Sequence, residues 1–369
     1  MADSDIDQRL VVLRRQYLQL FEPDFLAWPP LKLLKNADVQ AWLYKNLFDA
    51  GRLPHLPPPP YQIRVLELLM AKIEKAIEDP KQDEVSHTLV SHLGSLKANK
   101  LSPEQDPAQQ NSYVTFTCPK ERSDEPESTI TILERRYLIS GSKTTGFRTW
   151  EGALHLGAYL LSRRGQDIIR GKKILELGAG TGFLAILCGK QLAAKHVTTT
   201  DGDKGVVEAL KENLELNGLD EEKVQAMPLW WGDDLKGTWV ERECQTEPYD
   251  VVIGADITYE PGAIRALVAT LRQLFDLRPG LSVIIAGVVR NAHTYETFRH
   301  ECCKYLAHAT MRKQWLINFA VASGFILEEV NFRAKSIREQ SSLFYAAAVP
   351  VKILNITRAN DKKVGNNEK

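Results

Sequence analysis

Apolar residues recur at helical spacing in the first part of the chain and gather into strand-length runs in the second. Leu10, Leu13, Tyr17, Leu18 and Phe21 fall at three- and four-residue steps, which predicts an amphipathic helix. The segment Phe25-Leu-Ala-Trp28-Pro29-Pro30 ends it, because proline cannot continue a helix. Helical spacing returns over 33–48. A proline run, Pro54 and Pro57 to Pro60, then reads as a stiff extended connector. Helices are predicted over 61–77 and 84–96. The stretch 102–128 is rich in Pro, Ser, Asp, Glu and Gln and reads as loop, with one strand near 113–116. Residues 129–147 alternate apolar and polar positions, as a hairpin would, and a helix opens near Trp150 and runs to Leu161.

From Lys172 onward, short apolar runs alternate with helical stretches. Strands are predicted over 174–177, 196–200, 224–229, 250–255, 282–289, 325–332 and 345–356. Helices are predicted over 205–217, 263–275, 294–309 and 311–323. Such alternation specifies an α/β fold, a Rossmann-like seven-strand sheet with right-handed crossovers. Only a loop separates the last two strands, so they pair antiparallel. The ligand of such a sheet lies at the carboxyl ends of the strands. The expected organisation is an N-terminal helical module and linker over 1–125, the sheet domain over 126–358, and a polar, disordered tail over 359–369.

Charge adds little to this picture. Basic and acidic residues balance at 47 each, so no bulk field draws the chain to nucleic acid. The five cysteines are odd in number and form no C-x-x-C pair, which points to reduced thiols and no zinc site. The acidic start, Met1-Ala-Asp-Ser-Asp-Ile-Asp, lacks a signal-peptide core, and no apolar run reaches membrane-spanning length. The expectation is a soluble cytoplasmic monomer with no nucleic-acid partner, no membrane and no metal.

Candidate chemistry centres on Glu176-Leu-Gly178-Ala179-Gly180-Thr-Gly182-Phe183, where a strand turns into a helix. Glycines there let the backbone turn sharply and bring a ligand against bare N–H groups. A dinucleotide loop needs G-x-G-x-x-G, and Phe183 occupies the place of its last glycine. A P-loop needs Gly-Lys-Ser/Thr, which is absent. The E-x-G-x-G-x-G pattern fits a loop for S-adenosylmethionine (AdoMet); a tight turn with no ligand is the bland reading. Three further strand ends supply partners. Asp201, with Asp203 as its competitor, suits the ribose hydroxyls. Trp231, with Trp230 as its competitor, offers a face to adenine. Asp256-Ile-Thr-Tyr259 falls where the transferred group would lie, and Asp256 and Tyr259 suit an amine acceptor; a turn cap and a packing ring are the bland readings of that pair. The D-x-x-Y form lacks the Pro-Pro that shapes a slot for a flat base.

The set Thr149-Trp150-Glu151-Gly152-Ala153, Glu176 to Gly182, Leu229-Trp-Trp-Gly232 and Ala255-Asp-Ile-Thr-Tyr259 resembles the lysine-specific subgroup of seven-strand protein methyltransferases. Phe25 to Pro29, His55 to Tyr61 and Gly141 to Gly146 extend the likeness to the elongation factor 2 lysine methyltransferase family. The resemblance implies AdoMet-dependent methylation, up to trimethylation, of a lysine of translation elongation factor 2 in the cytoplasm. Glu176 before the loop orients it and can reach the methionine end of the cofactor, and the resemblance implies that Trp150, Gly178, Ala179, Gly180, Trp231 and Ala255 contact the cofactor and that Asp256 and Tyr259 hold the substrate lysine. The alternatives are a lysine methyltransferase for another cytoplasmic protein and a catalytically idle scaffold.

Overall fold

The computed structural model describes residues 6–79, 83–99, 111–119, 127–135, 145–309, 324–346 and 349–358. The chain folds into two compact units. The first takes Met1–Phe147 together with Arg338–Phe344; the second takes Arg148–Ile337 and Tyr345–Lys369. The expected boundary at 125/126 stands against a packing boundary at Phe147/Arg148. The expected helix over 311–323, the tail over 359–369 and most of the 102–128 linker lie outside the described residues.

In the first unit, α1 (Gln8–Leu18) starts at Asp7, whose carboxylate accepts the Arg9 N–H. Its face of Leu10, Leu13 and Tyr17 is fully buried, as the spacing predicts. After α2 (Leu31–Leu34), α3 (Ala37–Leu43) is capped by Asn36, which accepts from the Asp38 and Val39 N–H groups. The proline run is not wholly extended, because α4 (Pro59–Ala76) begins inside it. Proline at a first helical turn sacrifices only an N–H that has no helical partner. α5 (His87–Asn99) adds Leu89 to the shared core. The first arm of the expected hairpin over 129–147 is β2 (Thr129–Glu134), which pairs antiparallel with β1 (Ser112–Thr117), and residues 136–144, where the second arm was expected, lie outside the described residues. The alternating face of Ile130 and Ile132 finds its partner upstream, across a connection that local pattern does not reveal. Within this unit Gln19 grips the main chain of Phe344 at both ends of its amide, and Phe21 meets the Phe344 ring edge-on.

The second unit opens with α6 (Glu151–Leu160) and α7 (Arg163–Ile169), then alternates. The sequence runs β3 (Lys173–Leu177), α8 (Phe183–Lys190), β4 (His196–Asp201), α9 (Lys204–Leu216), β5 (Val224–Pro228), α10 (Trp239–Thr246), β6 (Val251–Ala255), α11 (Pro261–Leu277) and β7 (Ser282–Val288). It ends with α12 (Ala292–Ala309), β8 (Phe325–Glu329) and β9 (Val351–Arg358). Among the described residues the sheet has seven strands in the order β5-β4-β3-β6-β7-β9-β8. β3 to β7 are parallel, while β9 runs antiparallel to both β7 and β8. This is the seven-strand class I methyltransferase topology. The final strand starts later than expected, at Val351. α7 and α10 were not expected: both are short, and their buried positions are too few to make a long periodic stripe.

The chain order reverses between β3 and β6. β4 and β5 lie to one side of β3, β6 and β7 to the other. That reversal parts the connecting loops above the β3 and β6 carboxyl ends and leaves a crevice there. Leu177 is in register with both Thr200 and Gly254, so the glycine loop, the end of β4 and the end of β6 share one edge.

Candidate active site

The glycine loop is left-handed at three positions. Gly178, Gly180 and Gly182 have φ of +63°, +55° and +81°, values an L side chain adopts at a cost. Space excludes side chains as well. A Cβ on Gly178 would lie 2.6 Å from Ile257 Cγ2 and 3.0 Å from Trp231 Cζ2. Polar side chains fix the loop from below. Asn213 donates to the Thr181 carbonyl at 3.1 Å, and the Thr149 and Thr181 hydroxyls are 2.8 Å apart. The Ala179 N–H donates to the Thr200 carbonyl at 2.9 Å, joining the loop to β4.

Glu176 sits under this loop and is only 2% exposed. Its carboxyl accepts the Thr199 hydroxyl at 2.7 Å and the main-chain N–H of Ala185 in α8. Burial raises its pKa to about 8 despite those donors. Its main-chain carbonyl accepts the Thr200 hydroxyl at 2.7 Å. The side chain is therefore a brace between β3, β4 and α8, and it lies beneath the crevice.

Asp201 closes the donor side. Its carboxylate accepts the Gly180 N–H at 3.1 Å through Oδ2 and the Asp203 N–H at 3.1 Å through Oδ1. Burial raises its pKa, and the N–H donors of Asp203 and Gly180 oppose the rise. Asp203 is committed elsewhere, because its carboxylate caps α9 by accepting the Val206 N–H at 3.0 Å. The two tryptophans part company. Trp231 is partly buried against the core and beside Gly178, while Trp230 is 60% exposed and lies over Gly202, the residue after Asp201.

Across the crevice Asp256 follows Ala255 at the end of β6 and adopts φ +52°. Aspartate tolerates that region better than most residues. Oδ2 accepts the Gly152 N–H at 2.7 Å, and Oδ1 accepts the Val288 N–H at 2.9 Å. The approach to α6 is so close that a Cβ on Gly152 would lie 2.5 Å from the Asp256 carboxylate. Burial raises the Asp256 pKa; the Val288 and Gly152 donors lower it, nearby Glu151 raises it and Arg290 lowers it. Tyr259 stands at the rim, 60% exposed. Trp150 caps the start of α6, and the guanidinium carbons of Arg148 and Arg290 lie 4.8 and 5.1 Å from its ring centroid.

The ten residues singled out from the sequence lie at or just past the carboxyl ends of β3, β4 and β6, in the loop after β5 (Trp231, beside Gly178) or at the start of α6. The structure adds Gly152, Val288, Arg148 and Arg290. Arg290 and Val288 end the strand beside β6, and the rule that ligands gather at strand carboxyl ends would have singled out that strand end too. The donor set fits AdoMet. A carboxylate with a lone pair left on each oxygen suits a ribose diol, an aromatic face lies beside it, and glycines leave main-chain atoms bare. Arginine or lysine for a phosphate is not needed and is not part of the loop.

Comparison with known proteins agrees with this geometry. The family model described as lysine methyltransferase matches residues 127–301. The chain is 42% identical to protein-lysine N-methyltransferase EFM3 of Chaetomium thermophilum, over 93% of this chain and 96% of that protein. It is 36% identical to EFM3 of Saccharomyces cerevisiae over 47% of this chain and 53% of that protein. With human protein-lysine N-methyltransferase EEF2KMT the identity is 28%, covering 77% of this chain and 86% of the relative.

Proposed function

The chain belongs to the EFM3 family of protein-lysine N-methyltransferases, and on that premise we propose that it methylates a lysine of translation elongation factor 2 in the cytoplasm, up to trimethylation. The observation that carries the reading is a relative of the EFM3 type that matches both units of the chain and not the sheet alone. The motif resemblance to the elongation factor 2 enzymes points the same way. No described helix is long and apolar enough to cross a membrane. We take the enzyme to act as a monomer, on protein and not on nucleic acid.

AdoMet is the methyl donor; when bound it supplies a methyl group already activated on a sulfonium, so that transfer leaves S-adenosylhomocysteine and an N-methyl lysine. The protein's task is then alignment and control of one proton. The acceptor lysine must be neutral to present its lone pair, against a reference pKa of about 10.4. Asp256 holds the acceptor nitrogen through the lone pairs its two N–H donors leave open. Its two tethers set the direction of those lone pairs. The Tyr259 phenol at the rim guides the amine inward. On the donor side Asp201 takes the ribose hydroxyls and Trp231 takes adenine. Gly178, Ala179, Gly180 and Ala255 line the methionine end, Trp150 stands where that end meets the acceptor lysine, and Glu176 shapes the loop from beneath.

The test is incubation of the protein with labelled AdoMet and a lysate from cells lacking this activity. A single labelled band at the mass of elongation factor 2, with the methyl groups mapped to one lysine, is the expected result. Label on a different protein would redirect the substrate, and no label with AdoMet still bound would make the chain an idle scaffold.

A further inference from the structure

Two carboxylates stand at the start of α6, and they are held differently. Asp256 is tethered at each oxygen by a main-chain N–H. Glu151, next in sequence to the Gly152 that holds Asp256, meets only side chains among the described residues. Arg290 Nη2 lies 3.0 Å from Oε2 and Arg148 Nη2 lies 3.7 Å from Oε1. The Arg290 side chain is 57% exposed, and its guanidinium also lies over the Trp150 ring. Exposed ion pairs of this kind are weak and exchange readily. Two guanidiniums, Arg290 and Arg148, therefore each touch this carboxylate and this aromatic ring, and Arg290 makes the shorter ion pair from the more exposed side chain.

A carboxylate beside an aromatic face is the donor set that receives alkylammonium groups. The requirement is sharpest for a methylated lysine. Each methyl group removes a hydrogen-bond donor, and a quaternary nitrogen retains only charge and apolar surface. Asp256 and Glu151 against Arg148 and Arg290 make a neutral cluster, so a further cation enters comfortably only if one guanidinium leaves. We propose that Glu151 and the Trp150 face form a receiving site for the methylated ammonium of the substrate lysine, and that Arg290 fills this site until the substrate displaces it. The inference rests on the lysine-methyltransferase reading. It makes Glu151 a determinant of how many methyl groups are added, because a head group retained beside Asp256 between transfers is available for the next one.

The two ends of this ion pair should then act in opposite directions. With full-length protein, AdoMet and elongation factor 2, Glu151→Gln should raise KM for the protein substrate by about tenfold and shift products from trimethyl toward monomethyl lysine by mass spectrometry. AdoMet affinity by calorimetry should not change. Arg290→Gln should lower KM, with the trimethyl share kept or increased. Equal losses in both variants would mean that the pair only braces α6, and loss of AdoMet affinity in Glu151→Gln would place Glu151 in the donor pocket; either overturns the proposal. Free Nε-trimethyllysine separates this from the substrate reading. It should bind the wild-type protein weakly, Arg290→Gln more tightly and Glu151→Gln not at all, whether or not elongation factor 2 is the substrate. Equal binding to all three proteins would refute the site.

Discussion

Asp201 and Asp256 are alike in type and place. Each follows a parallel strand next to β3, each holds two main-chain N–H groups, and each has its pKa raised by burial. They differ in where their donors come from. Asp201 is held by residues 2 and 21 positions away, Asp256 by residues 104 and 32 positions away. The first shapes one loop; the second ties α6 and the end of β7 to β6 and does so in a left-handed conformation. On the proposed reading the donor side is thus a local structure, and the acceptor side is an assembly of distant segments. A cofactor loop can be carried by a short motif, while an acceptor pocket changes whenever any of three elements shifts.

The largest expected effect is on the acceptor side. Asp256→Ala should lower methyl transfer by about 10³- to 10⁴-fold, roughly 4–5.5 kcal/mol, because it removes the acceptor carboxylate and strands two N–H groups. AdoMet affinity by calorimetry should be little changed. Equal loss of affinity would erase the distinction between the two sides.

Next comes the acid beneath both. Glu176 has its pKa raised from 4.5 to about 8 by burial, so the folded state favours its protonated form. Its contribution is fully present below pH 4.5 and is lost as pH rises through about 8. Over pH 5 to 8.5 this amounts to at most about 4 kcal/mol of lost stability. The raised pKa values of Asp201 and Asp256 act in the same direction. Thermal melts should show the wild type weakening across that window and Glu176→Gln weakening less. Parallel curves would mean that Glu176 is already ionised in the fold.

Asp201→Ala is the mirror of the first variant. It should weaken AdoMet binding by about ten- to a hundredfold, or 1.4–2.7 kcal/mol, and leave turnover at saturating AdoMet within reach of wild type. A fall in turnover alone would move Asp201 to the chemical step. The smallest contrast is between the adjacent tryptophans. Trp231→Ala should cost about 1–3 kcal/mol of AdoMet affinity and Trp230→Ala less, measured by the same titration. The reverse order would give adenine to the exposed ring over Gly202.

The same local-against-distant contrast explains what the sequence revealed. β3, β4, β6 and β7 are visible within one or two residues, since each is an apolar or β-branched run stopped by a glycine, an acid or a short polar turn. Glu176, Gly178, Asp201 and Asp256 were legible for the same reason: a strand end is a place that pattern identifies. The pairing of β2 with β1 was hidden, because nothing in 129–134 records its upstream partner at 112–117. Gly152 was visible only as part of the Thr149 to Ala153 motif, and Val288 and Arg290 only as the end of β7; what each holds comes from contacts with Asp256 and Glu151 and not from its own neighbourhood. The carboxylate of Glu176 was visible as a motif residue, yet its burial under α8 depends on Thr199 and Ala185, on other elements.

The short segment Arg338–Phe344 has a consequence for how the molecule is made. It lies near the end of the chain but belongs to the core begun by residues 1–147. Gln19, synthesised early, has its main-chain partner at Phe344, roughly 200 residues beyond the close of the first unit's main segment. At translation rates of about 5–20 residues per second, the first unit waits roughly 10–40 s for its last piece. During that interval its surface around Gln19 and Phe21 is uncovered on the ribosome. The second unit meanwhile cannot place β9 between β7 and β8 until the same stretch has passed. Phe344 and the end of β9 at Arg358 lie 14 residues apart (358 − 344), so the helical core and the sheet are completed in close succession as the chain is made.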